Sequence, residues 1–322
     1  MWHRLITDNG PMHLLIPFAF CSSAGCAQAL QGLALPALQK ALLRLAPLAT
    51  DRGDDSSLSP PHERALAASL GLSGADGELP WAALQAKKTE GAWAFVSPCH
   101  WQIGALHVAM HHAPLPQFEP AESQALLAAM QPYFAEDGIT LYYDQAQRWL
   151  AQGEVFRGLA SASLDRVAGR QLDPWMPQAA QASGLRRLQS EMQMLLYTHP
   201  VNSARSQRGL LPVNSFWLSG TGALAALPQA ADAGTGGLVV ADQLREAALA
   251  EDWPAWAQAW QALDASHGPA LLAALHQTGQ ARLTLCGERS AQSWSAQPGL
   301  SAWRRLGQRL RPKTMLSLME AL

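Results

Sequence analysis

The chain has 322 residues, 48% of them apolar and 15% charged, with a formal net charge of −2. That length supports one large domain or two ordinary ones with ample core. The near-neutral balance gives no electrostatic reason to expect nucleic acid or an anionic membrane as a partner.

In chain order, LLIPFAF is the first apolar run. It is interrupted by Pro17 and follows Asp8 and the turn-like Asn9-Gly10-Pro11, so His13 to Phe20 reads as a buried strand rather than a signal peptide. No run approaches the roughly 18 to 20 apolar residues of a membrane helix. Ala27 to Leu48 carries leucines at helical spacing broken by Pro36, which predicts two helical pieces. Asp51 to Pro61 reads as a polar loop. Its end, Ser59-Pro60-Pro61-His62-Glu63, has the form of a helix entry with a capping serine, and Gly71 is the stop.

From Gly91 the chain becomes aromatic and β-branched, predicting two strands with a turn near Gly104. Ala121 to Met130 is then a helix, Ile139 to Tyr143 a strand, and Asp144 to Leu150 the start of another helix. Leu185 to Tyr197 is a strongly amphipathic helix and Val213 to Leu218 a strand. Leu238 to Ala241 and Ala281 to Cys286 are further strands, with a Trp-bearing helix at Trp253 to Leu263 and a loop at Gly234 to Gly237 between them. Trp253, Trp256 and Trp260 at helical spacing read as core rather than as interface anchors. Strands alternating with helices predict an α/β fold. A smaller α+β subdomain, 91–180, is expected to be inserted into a main domain formed by 1–90 and 181–322.

Several clusters invite a chemical reading. His107 and His111 would share a helical face, but the Glu of a His-Glu-x-x-His zinc site is missing. On a strand they would stand roughly 13 Å apart, too far for one metal. His100 and His112 complete that group without a better geometry. Four cysteines, Cys21, Cys26, Cys99 and Cys286, with no secretion signal, predict buried thiols, reduced in a cytoplasmic protein. The spacing of Cys21 and Cys26 is wrong for a zinc ribbon. Ser219-Gly220-Thr221-Gly222 follows a strand, where a Gly-x-Gly turn could cradle phosphate, yet it lacks the Lys of a P-loop. His199, Asn202, Arg205 and Asn214, with Arg166 and Arg170 from DRVAGR, could form a pocket for a small phosphorylated or carboxylate ligand. The alternative is a hydrogen-bond and ion-pair network serving structure, since Asn at strand ends often bridges neighbouring loops.

The stretch LLYTHPVNSARSQRGLLPVNSFWLSGTG resembles the archaeal-type cofactor-independent phosphoglycerate mutases, metalloenzymes of the alkaline phosphatase superfamily. The shared elements are His-Pro-x-Asn-x-x-Arg, then Gly-x-x-Pro-x-Asn and a strand running into Gly-x-Gly. DRVAGR is similar to a family Asp-Arg-Arg-Ala-Gly-Arg element, with Val167 in place of an arginine. QSEMQMLLYTHPVNSARSQRGLLPVNSFWLSGTG also resembles the RpfE-type bacterial regulatory proteins. The resemblance implies an alkaline-phosphatase-like central sheet flanked by helices.

The same resemblance locates what is missing. The family's first strand ends in a metal-ligating Asp-Gly, whereas this one carries Pro17 and Phe18. The position of the family's serine nucleophile, nine residues before Gly71, is His62. The Asp-x-x-x-His expected after ARLTLC is replaced by GERSAQSW, and Glu288 alone cannot hold two cations. Divalent ions in this chemistry need acidic ligands, and a covalent step needs an activated nucleophile. The expectation is therefore a non-catalytic protein without cofactor, regulatory or binding in function. One rival is an active mutase or phosphohydrolase using manganese or zinc with His62 as phosphate acceptor. The other is an assembly protein that binds a protein partner or a second copy of itself.

Overall fold

The computed structural model describes residues 11–104, 107–111, 114–228, 237–296 and Met319. Asp8, Asn9, Gly10, His112 and Gly234 to Gly236 lie outside them. The first elements are β1 (Met12–Ile16), α1 (Ala24–Gln31), α2 (Pro36–Leu42), β2 (Ala46–Arg52), α3 (Pro61–Leu70) and α4 (Trp81–Ala86). There follow β3 (Trp93–Cys99), β4 (Trp101–Ile103), β5 (Val108–Met110), α5 (Pro120–Glu136), β6 (Thr140–Gln145), β7 (Arg148–Gln152) and α6 (Leu164–Val167). The last are α7 (Ser183–Tyr197), α8 (Pro200–Gln207), β8 (Ser215–Gly222), β9 (Leu238–Val240), α9 (Arg245–Leu249), α10 (Trp253–Gln277), β10 (Ala281–Cys286) and β11 (Ser290–Ser295). The fold is mixed α/β, and no helix of the described residues is long and apolar enough to cross a membrane.

The described residues form two compact units. One comprises those of Met1–Asp55, Pro60–Gly71 and Pro228–Leu322; the other comprises Ser56–Ser59 and Leu72–Leu227. The boundaries expected at 91 and 180 both fall inside the second.

The first unit is built on a mixed sheet, ordered β2-β11-β10-β1-β9, with helices packed against it. Strand β1 runs parallel to β10 and β9, and β11 runs antiparallel to β10 and β2. Strand alternation sends Leu14 and Ile16 into a core with Leu283, Leu285, Trp256 and Trp260. Trp256 and Trp260 are fully buried, as their helical spacing predicts. Helix α2 has no side-chain cap of its own; Asp264 of α10 supplies one, accepting from the amides of Leu38 at 2.8 Å and Ala37 at 3.2 Å. The expected capping serine of α3 does other work. The cap position is Pro60, and Ser59 Oγ accepts from Gly77 N at 2.9 Å within the second unit.

The second unit holds an antiparallel sheet, β6-β7-β3-β8, and the two-stranded β4-β5 hairpin. Its core gathers Trp149, Phe134 and Phe216 with Leu188, Met192 and Leu196 of α7. The helix expected from Asp144 is instead the turn and second strand of a hairpin. Trp149 and Ala151 are buried at period two, and Arg148 bonds back to Asp144 at 2.7 Å. Burial of the tryptophan against β3 outweighs a weak local helical pattern. Helix α5 passes the expected end at Met130 and runs to Glu136.

Candidate functional site

The motif that singled out 199–222 folds into one continuous fastening within the second unit. Helix α7 ends at Tyr197, and His199 caps α8, its Nδ1 accepting from Val201 N at 3.2 Å. Burial moves the His199 imidazole below its ordinary pKa. Asn202 is buried and spends both ends of its amide on backbone. Its Nδ2 donates to Leu196 O and Val213 O, each at 2.7 Å, and its Oδ1 accepts from Val213 N at 2.8 Å. Asn214 repeats the device against Trp101, accepting from its N–H at 2.7 Å and donating to its C=O at 2.9 Å. The first Val-Asn pair therefore clamps the second, and the second mimics a strand residue beside β4.

Arg205 is fully buried at the centre of this block. Its Nε donates to Leu211 O at 2.8 Å, Nη1 to Gln117 O at 3.0 Å and to Glu122 at 2.8 Å, and Nη2 to Pro116 O at 3.0 Å. The guanidinium also lies 5.3 Å from the Phe118 ring centroid. The segment it grips contains Gln117 at φ 46, a left-handed conformation that side chains disfavour. Glu122 receives Arg208 on its other oxygen and closes a capping box with Glu119 at the start of α5. Burial pushes its carboxyl upward, but the Glu119 amide, Arg205 and Arg208 together hold it below the ordinary range.

The remaining candidates are carried by other segments. Arg166 is buried on α6, its guanidinium 5.9 Å from the Trp175 ring centroid, whereas Arg170 is exposed. His62 belongs to the first unit, at the start of α3, with its ring 5.1 Å from that of Phe18. His100 Nδ1 lies 2.8 Å from Pro212 O, and its ring centroid is 6.2 Å from that of His111. The Gly-x-Gly is not a turn after the strand. Gly220 and Gly222 are the closing residues of β8, and Thr221 between them is buried against Ser161 Oγ at 2.8 Å and Leu159 O. Gly220, at φ 61, is needed because a Cβ there would come within 2.8 Å of the Phe95 ring. Ser219 and Gly222 are in register with Phe95 and Trp93 of β3, and Thr221 is buried, so the segment belongs to the sheet rather than to an open phosphate-cradling loop.

At the C-terminal end of β1 and β10 in the first unit, Phe18 adopts φ 55 and its carbonyl accepts from Trp256 Nε1 at 3.0 Å. Glu288, which follows β10, accepts from Ser22 N at 3.0 Å and from Ser22 Oγ. Among the described residues, no three His, Cys, Asp or Glu side chains are grouped as metal ligands. Among those residues there is thus no grouping of several carboxylates and imidazoles of the kind a two-cation centre uses. Sequence reasoning missed Glu122, Gln117 and Trp101, which supply hydrogen-bond partners to Arg205 and Asn214. The Glu119-x-x-Glu122 spacing before an apolar helix was the one available signal.

No family model matches this chain, and no curated protein matches it. Among solved structures it is similar to the cofactor-independent phosphoglycerate mutase from Thermoplasma acidophilum, at 13% identity and a TM-score of 0.39, over 95% of this chain and 94% of that one. It is also similar to the PH0037 protein from Pyrococcus horikoshii, at 12% identity and a TM-score of 0.44, over 90% and 88% of the two chains. Neither likeness assigns an activity.

Proposed function

We propose that this chain is a non-catalytic binding or regulatory protein of the cytoplasm, of the kind its RpfE-like sequence suggests, in which a mutase-like polar motif serves as a structural fastening. The observation that supports it most is Arg205. Four of its five N–H donors are taken by three backbone carbonyls and Glu122. A phosphate could recruit that guanidinium only by releasing the strained Pro116–Gln117 segment and uncovering a buried charge, which costs several kcal/mol. Asn202 and Asn214 are committed in the same way, so the residues that would orient a phosphorylated substrate instead hold loops.

The test is turnover by the purified full-length protein. It would be supplied with 3-phosphoglycerate, or with p-nitrophenyl phosphate, in the presence of manganese or zinc. The expected rate equals that of the metal blank. Turnover that disappears in His62→Ala while the fold is retained would establish the rival, a phosphotransfer enzyme using His62, and overturn this reading.

A further inference from the structure

Cys21 and Cys26 sit on either side of the turn from β1 into α1, in the first unit. Ser23 caps α1 and accepts from Cys26 N at 3.2 Å, fixing the Cys26 backbone in the first helical turn. The Cys26 sulfur points back over the turn, where it accepts from Cys21 N at 3.3 Å. The sulfur of Cys21 is three bonds from that same amide, and a side-chain hydrogen bond between the two thiols holds the sulfurs close together. Ser22, between them, is tied to Glu288 by its N–H and its hydroxyl, which pins the turn. The two thiols differ in access: Cys21 is part-exposed and Cys26 is buried.

We propose that Cys21 and Cys26 form a reversible dithiol–disulfide pair, oxidised by low-molecular-weight disulfides of the glutathione type. Cys21, the accessible thiol, gives up its proton and attacks one sulfur of the disulfide, forming a mixed disulfide and expelling one glutathione thiolate. Cys26 then attacks the Cys21 sulfur as its own thiolate, forming the Cys21–Cys26 bond and expelling the second glutathione thiolate. The two protons given up by the cysteines end on the two glutathione thiols. The protein loses two electrons and the small disulfide gains them.

The surroundings favour the resolving step, in which Cys26 is the nucleophile. Hydrogen bonding from the Cys21 side chain lowers the Cys26 pKa, burial opposes it, the Cys21 amide assists, and the Glu288 charge pushes upward; the net effect is downward. Cys99 and Cys286 are fully buried thiols whose pKa burial raises far above the ordinary value. They serve as internal controls in the same chain.

The experiment incubates the reduced full-length protein with glutathione disulfide. The reaction is then quenched in acid, and the remaining thiols are alkylated under denaturing conditions and mapped by mass spectrometry. Both cysteines of the pair lie in one tryptic peptide, residues 5–40. The expected result is that this peptide loses both alkylation sites and two hydrogens while Cys99 and Cys286 stay alkylated, with dithiothreitol restoring the reduced form. Cys26→Ser is expected to accumulate glutathione on Cys21, and Cys21→Ser to take up none. Full alkylation of the peptide would overturn the proposal, as would a glutathione adduct persisting on Cys21 in the unaltered protein, or equal loss at all the cysteines.

Discussion

His13 is buried on β1, its Nε2 2.8 Å from Thr284 Oγ1, which in turn meets Ser293 Oγ at 2.8 Å across three adjacent strands. Its Nδ1 has no hydrogen-bond partner among the described residues. Burial, and secondarily the charge of Arg282, lowers its pKa from the ordinary 6.5 to about 3. For a base with a depressed folded pKa, the unfolded chain binds the proton first. The stability therefore is fully present above about 6.5 and is lost as the pH falls toward about 3. At about 1.36 kcal/mol per pH unit below 6.5, lowering the pH to about 5 should remove roughly 2 kcal/mol through this residue alone. In His13→Gln that contribution disappears, whatever the substitution itself costs. Urea unfolding of both proteins at about pH 7.5 and about pH 5, followed by tryptophan fluorescence, gives the difference between their pH dependences. Other titrating groups cancel in that difference. Equal pH-dependent losses in the two proteins would refute the reasoning, because His13 would then titrate alike folded and unfolded.

Three further substitutions follow from the packing. Arg205→Met leaves Glu122 without its buried partner and the Pro116–Gln117 carbonyls without donors, so a loss of about 3–5 kcal/mol is expected in denaturant unfolding; a loss under about 1 kcal/mol would show that the clasp is incidental. Gly220→Ala places a Cβ 2.8 Å from the Phe95 ring at a left-handed φ of 61, and thermal unfolding should show a destabilisation of about 1–3 kcal/mol. Asp264→Ala strips the amides of Ala37 and Leu38 at the start of α2 of their acceptor, at a cost of about 1–2 kcal/mol. Amide exchange in the first turn of α2 should then accelerate selectively.

The elements legible in the sequence are those whose own pattern is buried. Helix α7 carries apolar residues at Leu185, Leu188, Met192 and Leu196, and the Trp256–Trp260 face of α10 is equally plain. Strands β2 and β11 were not legible. APLATDR is mostly exposed at a sheet edge, with no alternation to read, and SAQSWS is small and polar, so its strand identity comes from pairing with β10. The 199–214 motif was visible as a cluster of polar residues, but its hydrogen-bond partners were not. Trp101, Gln117 and Glu122 are some 80 to 115 positions away in the chain, and only the fold brings their backbone and charges to Asn214 and Arg205. An arginine that binds phosphate and one that binds carbonyls look the same in one dimension.

If the 199–214 motif's amide groups and the Arg205 guanidinium are already committed within the fold, ligand-dependent thermal melting should find none left for a phosphorylated ligand. The full chain would be melted with 3-phosphoglycerate alone, with manganese alone, and with both. A ligand that binds only the folded state at 100 times its dissociation constant stabilises by roughly 2.7 kcal/mol, a shift of several degrees. No shift is expected under any of the three conditions. A shift with 3-phosphoglycerate that Arg205→Met abolishes, in a protein still cooperatively folded, would contradict that expectation.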